Sequence, residues 1–111
     1  MSESLPPPIW VNTKQLLQKL TDDLVTQSRV AVDTESNSLH AFREQVCLVQ
    51  FSTTNADYLV DPLALKDLSQ LAPIFADPKI EKIFHAAEYD LICLRRDFHF
   101  SFANLFDTMQ A

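Results

Sequence analysis

Two short stretches of this chain carry side chains that could do chemistry. Asp33 and Glu35 stand two apart at the end of an apolar, β-branched run, Val30-Ala31-Val32, which reads as a buried strand. On a strand that spacing sends both carboxylates out of one face, with Cα atoms roughly 6.6 Å apart. Like charges at the rim of a buried sheet repel each other unless a cation relieves them. Hard oxygen ligands of this kind suit Mg²⁺ or Mn²⁺. By spacing alone, however, the pair better describes two solvated carboxylates of the sort found at many strand ends. The second stretch is His85-Ala86-Ala87-Glu88-Tyr89-Asp90-Leu91, where an apolar strand passes into a helix. Asp90 falls one turn into that helix and Glu88 lies on a different face. Taken singly, Asp90 reads as a helix-surface aspartate.

The elements that must position these groups follow from periodicity and punctuation. Residues 1–9 form a polar leader with Pro6, Pro7 and Pro8, expected to be extended, and Trp10 and Val11 could anchor it. Asn12 or Thr13 can cap a helix running to about residue 26, with Leu16, Leu17, Leu20 and Leu24 at helical spacing. Strands are expected at 30–32, 46–52 and 57–60, with a polar loop over 36–44 and a hairpin turn at Thr53-Thr54-Asn55, where Asn55 takes the place glycine usually fills. Asp61-Pro62 reads as a helix start, and Leu65, Leu68, Leu71 and Phe75 supply a stripe up to Asp77-Pro78. A fourth strand at 80–84, a helix from Ala86 to about Phe98 and a short fifth strand beginning at Leu105-Phe106 complete the order. Hairpin-connected strands followed by strand–helix alternation predict an α/β domain with a mixed sheet. The order stops after strand five, where such a sheet would ordinarily gain another helix. An uncovered apolar sheet surface predicts dimerisation or poor solubility.

Composition removes several classes. The chain has 111 residues, enough for one domain, and no glycine, where average usage would give about eight. Walker A loops, GxGxxG turns and GxSxG elbows all need glycine backbone, so none is present. The net charge of -6 offers no basic surface for nucleic acid. Residues 30–60 alone hold four acids against Arg43. Cys47 and Cys93 lie in apolar runs without metal-ligand spacing and read as reduced core thiols of a cytoplasmic protein. The N-terminal residues lack the basic and apolar regions of a signal peptide, and no apolar stretch approaches the ~18 residues of a membrane span.

Together the two stretches resemble a known family. Val32-Asp33-Thr34-Glu35-Ser36-Asn37-Ser38-Leu39 is similar to the first motif of the DEDD superfamily of 3′-5′ exonucleases, and His85-Ala86-Ala87-Glu88-Tyr89-Asp90-Leu91 to the second. The combination looks most like ribonuclease D. Val46-Cys47-Leu48-Val49-Gln50-Phe51, Asp61-Pro62 and Leu105-Phe106-Asp107-Thr108 add to the resemblance, which covers about residues 29–111.

That resemblance implies a ribonuclease H-like fold: a mixed five-stranded sheet with flanking helices on both faces, here apparently truncated after strand five. It divides the chain into a leader and helix over 1–28 and an exonuclease domain, incomplete at its C-terminus, over 29–111. It implies Asp33, Glu35 and Asp90 as catalytic metal ligands, with Asp33 bridging two ions, Glu35 completing the first ion's shell and Asp90 serving the second through water. Two cations about 3.5–4 Å apart activate a water and stabilise the leaving oxygen of a phosphodiester. They also reverse the local sign, so an acidic domain can hold a polyanion. On the substrate side the resemblance implies Leu39 packing on the terminal base, Thr34 backbone contacting the terminal nucleotide, and His85 at the rim, where relatives often carry asparagine. Asp107 ends a strand too, but in the family that Phe-Asp-Thr is not one of the catalytic acids.

The implied activity is a metal-dependent 3′-5′ exoribonuclease that releases nucleoside 5′-monophosphates from single-stranded RNA ends, as in transfer RNA 3′ processing. The family's fourth aspartate follows a tyrosine or histidine on a later helix, and no Tyr/His-x3-Asp follows strand five here. The alternatives are a non-catalytic nucleic-acid-binding module and a DNA-directed 3′-5′ exonuclease, since these motifs do not reveal which sugar is read.

Overall fold

Strand alternation decides which way each side chain of the central strand points. Val30 and Val32 are buried, whereas Ala31, Asp33 and Glu35 are exposed. The computed structural model describes residues 6–37, 45–85 and 87–110. Its strands are β1 (Ile9–Val11), β2 (Arg29–Asn37), β3 (Gln45–Ser52), β4 (Asp57–Val60), β5 (Glu81–Phe84) and β6 (Leu105–Asp107). Its α-helices are α1 (Lys14–Leu24), α2 (Ala72–Ala76) and α3 (Ala87–Phe98).

The strands form one mixed sheet in the order β1-β4-β3-β2-β5-β6. β2, β3 and β4 pair antiparallel, while β1 joins β4, and β5 and β6 follow β2, in parallel. The sheet is therefore the mixed ribonuclease H-like sheet that was expected, with one strand more. Ile9, Trp10 and Val11, read from sequence as leader and anchor, form an edge strand in register with Tyr58, Leu59 and Val60. Three residues are too short to show a period, so only the partner strand reveals them.

Thr13 caps α1, its hydroxyl accepting from Leu16 N at 3.2 Å. The helix buries Leu17, Leu20 and Leu24 in the same core as Val11, Val32, Phe51 and Leu94. The helix expected from Asp61-Pro62 to Phe75 is broken. Asp61 caps one turn, its carboxylate accepting from Leu63 N and Ala64 N. A 3₁₀ turn over Ser69–Leu71 then leads into α2. Residues 65–68, between the two turns, are not helical. Helical geometry resumes at Ser69, whose N donates to Asp67 Oδ1 at 3.0 Å, and Pro73 sits in the first turn of α2, where its missing N–H costs little. Leu65, Leu68, Leu71 and Phe75 are buried all the same, without sharing one helix.

With no glycine available, the left-handed backbone positions fall to His99 (φ 60°) and Asn104 (φ 58°). His99 N donates to Arg95 O at 2.9 Å and closes the end of α3. Asn55 does not take a left-handed conformation. The hairpin turn instead closes through Thr53, whose N donates to Ala56 O and whose Oγ1 accepts from Asn55 N and Ala56 N.

Among the described residues the core occupies one side of the sheet. It includes Phe75, which packs against Phe51, Phe100 and Phe102 at ring separations of 5.9, 4.9 and 5.1 Å. Lys82 lies fully buried on this side, its ammonium donating to Asp77 O at 2.7 Å. The opposite side presents Trp10 (46% exposed), Ala31, Asp33, Glu35 and Phe106 (41% exposed). Helices were expected on both faces. The buried residues of α1, α2 and α3 all join the one core cluster, so the described helices cover one face.

Candidate functional site

The two motifs meet where β2 runs past β5 and the start of α3. β2 sends Thr34 toward the helices and Asp33 and Glu35 to the open side, as the two-residue spacing predicts. Asp33 Oδ1 accepts from Thr34 N at 2.9 Å, and its side chain borders a shallow cleft of about 220 Å³ lined also by Ala31, Val32, Gln50 and Ser52. The pairing with β3 slips immediately after Glu35: Glu35 faces Leu48, and Ser36 faces Val46. Such a bulge bends the strand and re-aims the residues beside it.

The second motif enters through β5 and α3. Asp90 is 8% exposed, so it is not the helix-surface aspartate that its position alone suggested, while Glu88 is exposed. The Thr34 hydroxyl donates to Asp90 Oδ1 at 2.6 Å and so joins side chains 56 residues apart. Burial pushes the Asp90 pKa up; the Thr34 bond pulls it partly back, and the charges of Asp33 and Asp107 push it up further. His85 is exposed, and its Nδ1 lies 2.8 Å from Thr108 Oγ1, which ties the end of β5 to the end of β6. Asp107 Oδ1 accepts from Met109 N at 3.0 Å.

Thr34, Asp33 and Asp90 are thus gathered, with Asp107 close enough for its charge to be felt. Glu35 leaves on the Asp33 side of the strand. Among the described residues no group of three His, Cys, Asp or Glu side chains converges closely enough to hold a metal ion. The donors nonetheless fit a hard cation in kind: they are carboxylate oxygens, and the repulsion of Asp33 and Asp107 against a buried Asp90 is what a cation would offset. Leu39 lies outside the described residues. The sequence reading missed the Thr34 hydroxyl and the nearness of Asp107 to Asp90. The burial of Val30 and Val32 carries the signal for Thr34, because strand alternation then turns Thr34 inward as well.

A mixed sheet of this order, with two acidic motifs meeting at one place, defines a nuclease-like domain of the ribonuclease H type. The family model described as 3′-5′ exonuclease matches residues 8–111, and the chain belongs to that family. Protein RRP6-like 3 of Arabidopsis thaliana is 46% identical over 104 residues, covering 93% of this chain and 12% of that protein. The crystal structure of the catalytic core of RRP6 from Trypanosoma brucei superposes with a TM-score of 0.89 at 36% identity, over 97% of this chain and 30% of that one. Escherichia coli RNase D, described as an exoribonuclease involved in structured RNA processing, follows at a TM-score of 0.85 and 29% identity, over 93% of this chain and 28% of that one. The expected likeness to ribonuclease D is therefore borne out. The chain spans about an eighth of the curated relative's length. No described helix is long and apolar enough to cross a membrane.

Proposed function

We propose that this chain is part of a metal-dependent 3′-5′ exoribonuclease that shortens single-stranded RNA from its 3′ end and releases nucleoside 5′-monophosphates. The observation that carries this reading is the 2.6 Å bond between Thr34 and Asp90, which joins two acidic motifs far apart in sequence beside Asp33. Asp33, Glu35 and Asp90 would hold two divalent ions, Mg²⁺ or Mn²⁺. When bound, such ions supply an activated water and charge for the leaving oxygen. Asp33 and Glu35, exposed on the open side of the sheet, face the space from which a strand end could approach. Thr34 backbone, Leu39 and His85 would contact the terminal nucleotide; His85 is exposed and held by Thr108, as a rim residue needs to be.

RNA rather than DNA, and a cytoplasmic setting, belong to the same proposal. A homodimer through the open sheet face, which carries Trp10 and Phe106 beside Asp33 and Glu35, belongs to it as well. The absence of a three-acid convergence among the described residues favours one competing reading, a nucleic-acid-binding module that does not cleave.

The test is a 5′-labelled single-stranded RNA, with its DNA counterpart alongside, incubated with Mg²⁺ or Mn²⁺ and compared with Asp33→Ala. A ladder that shortens from the 3′ end and vanishes in the variant is the expected result. Binding of RNA with neither cleavage nor a rise in melting temperature on adding Mn²⁺ would favour the binding module. Equal cleavage of the DNA would remove the RNA assignment.

A further inference from the structure

We infer that the Thr34 hydroxyl is a positioning group for Asp90, holding one carboxylate oxygen so that the other is presented toward the Asp33 side. The inference rests on the reading of Asp33 and Asp90 as metal ligands and adds a residue that acts through one of them. Thr34 sits between Asp33 and Glu35, yet alternation turns its side chain to the other face, toward α3. It can therefore serve the site from behind while its neighbours face the open side. The bond to Asp90 Oδ1 is short, at 2.6 Å, as befits a hydroxyl donating to a carboxylate. Among the described residues Asp90 Oδ2 carries no such bond.

Threonine suits this task for a physical reason. Its β-branch restricts χ1, so the hydroxyl direction is set by the β2 backbone rather than by a freely turning side chain. The aspartate is less constrained: its terminal torsion is broad and two-fold, and an unheld carboxylate would rotate. The charges of Asp33 and Asp107 add a reason for it to do so, since both repel it. Holding Oδ1 removes that freedom before any ion arrives. The β2 backbone, which carries Asp33, thereby also fixes the Asp90 rotamer, and the bond adds a side-chain link to the β2–β5 ladder that sets the two motifs side by side.

The experiment is a Mn²⁺ titration of the 111-residue chain, reading free Mn²⁺ by electron paramagnetic resonance, for the parent and for Thr34→Val, Thr34→Ser, Thr34→Ala, Asp33→Ala and Asp90→Asn. Melting curves without metal accompany each. Thr34→Val keeps the shape and removes the donor, and should weaken Mn²⁺ binding by about tenfold, the lower end for losing a hydrogen-bond partner of a metal ligand. Thr34→Ser restores the donor and should bind within about threefold of the parent, a rescue that a merely structural role does not produce. Should Thr34→Val melt far below the parent, Thr34→Ala against Thr34→Ser makes the same comparison without a methyl replacing the hydroxyl.

Parent-like binding by both donor-less variants, alongside weakened binding by Asp90→Asn, overturns the positioning role and leaves the site reading standing. Loss of binding in Thr34→Ser equal to that in Thr34→Val also overturns it, because the hydroxyl would then not be the cause. Parent-like binding by Asp33→Ala and Asp90→Asn, or no Mn²⁺ binding by the parent, overturns the site reading itself, and the positioning role with it.

Discussion

Two partly or wholly buried aspartates of this molecule are treated in opposite ways. Asp23, in the last turn of α1, accepts hydrogen bonds from Tyr58 Oη at 2.7 Å, Thr53 Oγ1 at 2.9 Å, Asn55 Nδ2 at 2.7 Å and Gln27 Nε2 at 2.9 Å. Burial by itself raises its pKa, but the four donors together outweigh that and hold the carboxyl below its ordinary value. Asp90 is also buried, yet it has Thr34 as its donor and the charges of Asp33 and Asp107 for company, and its pKa is raised. One carboxylate is surrounded by donors and locks the hairpin turn to α1. The other is left short of positive partners. A folded chain gains nothing in stability from that second arrangement, and such shortfalls are characteristic of sites built to receive something.

The sharpest way to break this contrast is to remove each carboxylate in turn. If the proposed activity holds, Asp33→Ala and Asp90→Asn should lower RNA cleavage a hundredfold or more, the scale seen when one charge-stabilising group is lost. Neither should lower the metal-free melting temperature, and Asp90→Asn should raise it, because it removes a charge that is buried among like charges. A melting temperature that falls in Asp90→Asn would place Asp90 with Asp23 as a structural carboxylate.

Asp23→Ala should do the reverse. Loss of four charge-assisted bonds at a half-buried position should cost about 2 kcal/mol, read as a lower urea midpoint at unchanged slope. Mn²⁺ binding should stay as in the parent. The pH dependence follows with a definite sign. A carboxyl whose folded pKa is depressed contributes stability above its unfolded pKa, roughly 4, and loses it as the pH falls through the lower folded value. The gap between parent and Asp23→Ala should therefore be constant from pH 5 to 8 and shrink below about pH 4. Asp90 pulls the other way: its raised pKa lends stability below the ordinary carboxylate range, which is lost as the pH rises through the folded value. Asp90→Asn should flatten the profile just above pH 4, where Asp23→Ala leaves it unchanged.

Sequence alone went far toward one of these clusters and not at all toward the other. Asp33, Glu35 and Asp90 stood out through the resemblance of their two motifs to a known family, not through spacing alone, and the structure brings Asp33 and Asp90 near each other. The Asp23 hub was not legible. Its donors come from residues 27, 53, 55 and 58, and only folding the hairpin onto α1 reveals that a single carboxylate serves them all. The broken helix over 61–76 was misread for a related reason. Its leucines keep helical spacing, but the backbone over 65–68 leaves the helix, and Asp67 Oδ1 accepts from Ser69 N at 3.0 Å where helical geometry resumes. β1 escaped notice because three residues become a strand only beside β4. Periodicity reports which side chains are buried; it does not report what the backbone between them can bond.

The smallest effect separates the hub's parts. Tyr58→Phe removes one donor of four and keeps the ring in the core, so it should cost about 1 kcal/mol, less than Asp23→Ala. The phenol supplies a second reading of the same bond. Burial, then the hydrogen bond to Asp23, then its charge push the Tyr58 pKa up to about 12. A group with a raised folded pKa lends stability below its unfolded value, near 10, and loses it as the pH rises through about 12. An absorbance titration of the parent should thus show one phenol ionising late, and Tyr58→Phe should lose that late step. In Asp23→Asn the step should move toward lower pH without disappearing, because the charge has gone while burial remains. If the late step stays in place when Asp23 is neutralised, burial alone sets it, and the carboxylate's part in the hub is confined to Thr53, Asn55 and Gln27.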